Sequence, residues 1–312
     1  MSSLTIHTIK VPNPFFEGRN AVYVIEADPI TIIDTGVATE KAWGILVDGL
    51  EKIQVPLESI RRIILTHKHI DHIGNAWRIH QRSDAEVFIH ESEVRFVQEV
   101  DPSSERYAEL VASRLDEWSI PAAKRPSRQS KPPPWLIEAC PAKPLVDGQE
   151  LPIGDQAIEV MHTPGHTFGS ICLRLENSLF SGDHVLPGIS PNIGGGDLRH
   201  RGLLSKYLES LERIRGLDRV GLTTLPGHGN PMRDKLAERC DRLISHHDKR
   251  LGEVLEILAS SGTQTVYEVA EQLFGEMEDF HVILGCAEGQ AHLDLLVDRE
   301  QVTEQDGGYA LV

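Results

Sequence analysis

Three histidines and an aspartate, His67, His69, Asp71 and His72, fall within six positions directly after the apolar run Ile63-Ile64-Leu65. Imidazole nitrogen and carboxylate oxygen are the donors that a borderline cation such as zinc takes. Their spacing makes two pairs. His67 and His69, two apart on extended backbone, project to one side and can grip one ion. Asp71 and His72, at the mouth of the next helix, can face a second ion beside it. The chemistry such a pair of ions permits is hydrolysis, because bound water becomes a nucleophile near neutral pH. No G-x-S-x-G stands in the chain to supply a serine nucleophile instead.

These donors need a strand to carry them and a turn to present them. The run up to Leu65 reads as a buried strand, bounded by Arg61-Arg62 on one side and polar residues on the other. Upstream, Ala21–Glu26 and Ile30–Asp34 read as a hairpin around Ala27-Asp28-Pro29. Residues 38–53 read as an amphipathic helix with Ala42, Ile45, Leu46, Leu50 and Ile53 on one face. A helix over about 73–82 and a strand over Glu86–His90 follow. This alternation argues for α/β layers. His80 and His90 fall outside the motif and read as surface or turn histidines. Further strands are expected at Ala157–Met161, Ile171–Leu175, Ser178–Asp183 and Thr223–Leu225, with a helix over Tyr207–Ile214.

The block His67-Lys68-His69-Ile70-Asp71-His72 resembles the H-x-H-x-D-H hallmark of the metallo-β-lactamase superfamily, and later segments extend the likeness. Thr163-Pro164-Gly165-His166-Thr167 is similar to the superfamily's third motif, which implies His166 as a ligand. Asp183, closing Ser181-Gly182-Asp183, matches the aspartate that bridges both metals, and Gly182 would let the backbone pass close to the ions. Pro226-Gly227-His228-Gly229 matches the fifth motif and implies His228. The resemblance therefore implies His67, His69 and His166 on one ion, Asp71, His72 and His228 on the other, and Asp183 between. It implies two divalent ions, zinc first, with iron or manganese also compatible. Asp34 would support the metal loop from behind, and His162 would stand behind the ligands or face substrate. Asp71 and His184 are expected to act on the reacting groups. The fold implied is a four-layer αββα sandwich over residues 1–232, with a small helical domain at 233–312.

That last segment reads as three helices and a terminal hairpin, and resembles the winged-helix appendage of the endoribonuclease-like and glyoxalase-II-like branch. From Arg233 onward 7 basic residues stand against 17 acidic ones, the reverse of a phosphate-binding surface. Packing or homodimerisation is the better expectation. The whole chain carries a net charge of −16, which disfavours nucleic acid as a partner. An irregular, proline-rich insert at 101–135 holds the one basic island, Lys124, Arg125, Arg128 and Lys131, expected to receive an anionic substrate tail. No apolar run approaches the ~20 residues that span a bilayer, and no signal peptide is recognisable. Four widely spaced cysteines without a C-x-x-C pair fit a reducing cytoplasm. The expected reaction is hydrolysis of a thioester or ester of a small or medium metabolite, with RNA cleavage as the alternative. A lactone is less suited, since lactonase-like relatives carry a tyrosine where Leu186 stands here.

Overall fold

The computed structural model describes residues 4–15, 18–99, 105–126, 137–194 and 197–312. The first sheet runs in the order β1 (Thr5–Pro12), β2 (Arg19–Glu26), β3 (Thr31–Ile33), β4 (Arg62–Ile64), β5 (Glu86–His90) and β6 (Lys143–Leu145). Its first two pairings are antiparallel and the remaining three parallel. The second sheet reads in reverse, from β12 (Met232–Arg233) and β11 (Thr223–Pro226) through β10 (Ser178–Gly182), β9 (Ile171–Leu175) and β8 (Gln156–His162) to β7 (Glu150–Ile153). Here β10 and β11 are parallel and the other pairs antiparallel.

Covering on both faces explains the run of apolar residues in these strands. In β2 all six residues from Asn20 to Ile25 are buried. Val22 and Val24 face helices α1 (Glu40–Lys52) and α3 (Ala76–Ser83), where they meet Leu46, Leu50 and Ile79. Tyr23 and Ile25 face the other sheet and meet Val160, Leu173 and Phe180. Helix α1 starts at Thr39, whose hydroxyl accepts from the Ala42 amide at 3.1 Å and satisfies one free amide of the first turn. Beyond the second sheet, Met161, Cys172 and Leu179 pack on α6 (Leu203–Arg215). The layers are thus helix, sheet, sheet, helix, the four-layer sandwich expected from the motifs. A four-residue helix, α2 (Ile70–Ile73), carries Asp71 and His72.

The C-terminal segment forms α7 (Leu236–Ser261), α8 (Val266–Phe274) and α9 (Phe280–Asp298), then the hairpin of β13 (Val302–Gln305) and β14 (Gly308–Leu311). Thr265 and Glu268 close a capping box at the start of α8. The boundary expected after residue 232 cuts through β12, between Met232 and Arg233, and the apolar core runs across it. Leu179, Tyr207 and Leu211 belong to the same buried cluster as Cys240, Leu251, Val269, Leu293 and Tyr309. Helix α9 is buried nearly all round, fourteen of its residues being inaccessible. Part of the 101–135 insert is regular: α4 (Val94–Gln98) precedes it, and α5 (Glu105–Glu117) ends at Trp118, which is buried in that cluster. The Trp118 carbonyl accepts from the Tyr267 amide at 3.1 Å, tying the insert to α8.

Phe180 lies between the sheets with its ring 5.2 Å from that of Tyr23, edge to face. Phe180→Ala is expected to cost about 3–5 kcal/mol of stability in urea unfolding, since a close-packed layer cannot collapse around the void. A loss under about 1 kcal/mol would show that the two sheets close over the gap.

Candidate metal centre

Parallel pairing of β3 with β4, and of β10 with β11, sends the ends of these strands to one edge of the sandwich. There the sheets are stitched together. The Ile171 amide donates to the Thr66 carbonyl at 2.9 Å, and the Ala21 amide to that of Gly227 at 2.7 Å. The loops after β3, β4, β8, β10 and β11 bring Asp34, His67–His72, His166, Asp183 and His228 to this edge.

The donors converge in two halves. His69 Nδ1 lies 3.1 Å from His67 Nε2 and 2.9 Å from His166 Nε2, making a cluster of three imidazoles. Beside it, His72 Nε2 and His228 Nε2 are 3.3 Å apart, with Asp71 Oδ2 at 3.6 and 3.3 Å from them. Asp183 reaches both halves. Its Oδ2 stands 3.8 Å from His166 Nε2 and 3.3 Å from His228 Nε2, and its Oδ1 3.5 Å from His72 Nε2. His69 is half-buried where the others are buried, so the site opens on its side.

Groups behind the rings fix which nitrogen faces inward. His72 Nδ1 donates to Asp34 Oδ2 at 2.8 Å, His166 Nδ1 to the Asn192 carbonyl at 2.8 Å, and His228 Nδ1 to the Arg19 carbonyl at 3.2 Å. The Thr66 hydroxyl donates to Asp34 Oδ2 at 2.9 Å, so it accepts from His67 Nδ1 at 3.1 Å. Four rings therefore turn an unprotonated Nε2 towards the centre. Nitrogens facing one another at such distances, beside a buried Asp183 Oδ1 that accepts no hydrogen bond, suit a shared cation. Gly227 keeps the space clear, for a Cβ there would lie 2.2 Å from Asp183 Oδ1. At Gly182 (φ 47°) the close neighbour is the Thr66 side chain, 2.8 Å from a built Cβ, so that glycine serves loop packing. The donor set fits a pair of divalent ions.

The charge balance of the halves differs. Burial, reinforced by neighbouring imidazoles, pushes His67 well below its usual range and His69 down to about 3. That half holds neutral imidazoles. In the other, burial opposes charge but Asp183 and Asp71 overcome it, holding His72 well above its usual range and His228 at about 10. The carboxylates draw positive charge inward, which protons or a divalent cation can supply.

Asp34, expected behind the ligands, takes three hydrogen bonds there: the Thr66 amide at 2.8 Å, the Thr66 hydroxyl and His72. His162 stands apart from the donor groups. Its ring stacks on His90 at 3.9 Å and its Nε2 meets the Phe168 carbonyl at 2.7 Å. His90 is thus no surface histidine; burial and the adjacent His162 push it down to about 4. His80 Nδ1 donates to the Ala85 carbonyl at 2.9 Å, at the turn after α3. His184 is buried edge-on to the Tyr207 ring, and burial pushes it down to about 3. Lys124 pairs with Glu276 at 2.8 Å and Arg125 with Asp116 at 2.7 Å. Arg128 and Lys131 lie outside the described residues. Unforeseen were Asn13 and Asn20, whose amides donate to Asp71 Oδ2 at 2.8 and 3.0 Å, and the buried pair of Lys68 with Asp197 at 3.0 Å. No local pattern in the sequence marks them. A separate group, His246, His247 and Glu288, lies between α7 and α9.

The family model described as the metallo-beta-lactamase superfamily matches residues 15–228. The Bacillus subtilis protein named probable metallo-hydrolase YqjP is 27% identical over 97% of this chain and 95% of its own length. Human acyl-coenzyme A thioesterase MBLAC2 is 31% identical over 76% of this chain and 82% of its own. Among solved structures, the metallo-beta-lactamase family protein TTHA1429 from Thermus thermophilus aligns with a TM-score of 0.84 and 27% identity, covering 98% of each chain.

Because Asp34 holds His72 and Thr66 together, Asp34→Ala should lower metal affinity about 10–100-fold, as removing such supports does elsewhere. Competition with a chromogenic chelator measures it. Affinity equal to that of the unaltered protein would mean that the inner donors hold their positions unaided.

Proposed function

The chain belongs to the metallo-β-lactamase superfamily, and from that premise we propose that it is a dinuclear-metal hydrolase of acyl thioesters. The observation that carries this reading is Asp183, whose two oxygens reach both halves of one buried donor set. We assign His67, His69 and His166 to one ion, Asp71, His72 and His228 to the other, and Asp183 to both. When bound, two divalent ions supply a hydroxide near neutral pH and polarise a carbonyl oxygen. Zinc suits imidazole and carboxylate donors, and iron or manganese would also be accepted.

The protein's own groups do the rest. Asp71 is held through Oδ2 by the amides of Asn13 and Asn20, so its plane is fixed and Oδ1 is left to carry a proton to the leaving thiolate. His184, wholly buried against Tyr207, is assigned to packing rather than to proton transfer. Thioester is favoured over other acyl groups by the similarity to human acyl-coenzyme A thioesterase MBLAC2. It is favoured over RNA by the net charge of −16. Among the described residues no helix is long and apolar enough to cross a membrane, so a substrate free in solution is the simpler partner.

A hydrolysis panel on metal-loaded protein tests the proposal: acyl-coenzyme A and glutathione thioesters, a neutral ester, a lactone and single-stranded RNA, each with a chelated control. Chelator-sensitive thioester turnover with RNA intact is expected. RNA cleavage with idle thioesters would overturn it. In the same assay His69→Ala and Asp183→Ala should each lose bound metal and fall to the rate of the chelated protein. Full activity in either would remove the metal from the reaction.

A further inference from the structure

Resting on the assignment of His166 as a ligand, we propose that Glu288 of α9 is a positioning residue of the metal centre, acting on His166 through Asn192.

The supports behind the other rings come from the sandwich itself. His72 leans on Asp34 at the end of β3, His67 on Thr66, and His228 on the carbonyl of Arg19 in β2. His166 is different. Its Nδ1 donates to the main-chain carbonyl of Asn192, in the irregular segment between β10 and α6. A loop carbonyl fixes a ring only as well as the loop is itself fixed. The Asn192 side chain provides that, donating through Nδ2 to Glu288 Oε2 at 2.6 Å and to the Leu284 carbonyl at 3.3 Å. Both acceptors belong to α9, fourteen of whose nineteen residues are buried. The path from ligand to helix is two hydrogen bonds long.

Apart from its place beside His246 and His247, the carboxyl of Glu288 has one polar partner among the described residues, Asn192. Glu288 is buried at 9% exposure, and among the described residues it forms no ion pair. Burial raises it to about 7, only partly offset by Arg250 and the Asn192 bond. Burying an unpaired carboxyl is costly, and an apolar residue would fill the helix more stably. Among the described residues its carboxyl takes its hydrogen bond from Asn192. Around it, His292 Nδ1 donates to the Glu288 carbonyl at 2.8 Å, so His292 Nε2 accepts from His247 Nδ1 at 3.2 Å. The backbone of α9 is therefore also anchored to α7 at this level.

The test uses the full-length, zinc-loaded protein and its variants Glu288→Ala, Glu288→Gln, Asn192→Ala and the double Asn192→Ala/Glu288→Ala. Readouts are metal content per chain, the rate of ion release to a chelator, and kcat and KM for a thioester. Two ions are expected in the unaltered protein. Glu288→Ala and Asn192→Ala should each speed release of one ion roughly ten-fold. The double variant should be no faster than Asn192→Ala alone, because the effect of Glu288 passes through Asn192. Glu288→Gln should restore most of the retention, since its amide oxygen still accepts from Asn192. Unchanged release in both single variants, or additive effects in the double, would overturn the inference while leaving the dinuclear reading intact. A third ion that disappears with Glu288 would also overturn it, making the carboxylate a ligand beside His246 and His247. A chain that binds no ions would overturn the reading of the site and this inference with it.

Discussion

Three hydrogen bonds to one carboxylate shape the edge on which the donors gather. Asp34, at a left-handed backbone position (φ 57°), receives the amide and hydroxyl of Thr66 and the Nδ1 of His72. The loop that leaves β4 is thereby pinned at its first residue and again at the far end of the motif. The residues between, His67 to Asp71, have little freedom left, and the Thr66 hydroxyl passes the constraint on to His67. A buried carboxylate demands donors, and here the donors are the frame of the site. Remove that demand and neither ring has a reason to present its Nε2.

Much of this was readable from the chain because the donors sit in short motifs at strand ends, and strand ends are marked by a change from apolar to polar residues. The supports were not readable, because each acts across the fold. Asn20 reaches Asp71 from 51 positions away, and Asn192 reaches Glu288 from 96. Nothing local distinguishes such an asparagine from one in a turn. His90 differs for the same reason: it ends a strand, where exposure is the ordinary expectation, and the ring of His162, distant in sequence, stacks on it. Gly182 was noticed for standing beside Asp183, whereas clearance of the site falls to Gly227, whose place against Asp183 follows from the pairing of β10 with β11. Within the insert the amphipathic stretch forms α5, and residues 127–136 lie outside the described residues.

Charge around the site is turned inward. In a chain with a net charge of −16, the carboxylates that matter to the site are held by amides, rings and one buried lysine. Lys68 stands between two of the donor histidines yet directs its charge to Asp197, which also takes the Phe168 amide at 3.0 Å and His200 Nδ1 at 2.8 Å. This ties the loop after β4 to the loop after β8. The loop after β4 is therefore braced by two buried anions, Asp34 and Asp197.

The apolar cluster behind the second sheet spans the chain from Leu115 to Tyr309. During synthesis the motif histidines leave the ribosome early, whereas the helices that close their outer layer leave last. Until α9 has emerged, α6, α7 and α8 lack the helix they pack against. A chain cut short before α9 would carry every donor of the site without the complete layer behind the second sheet.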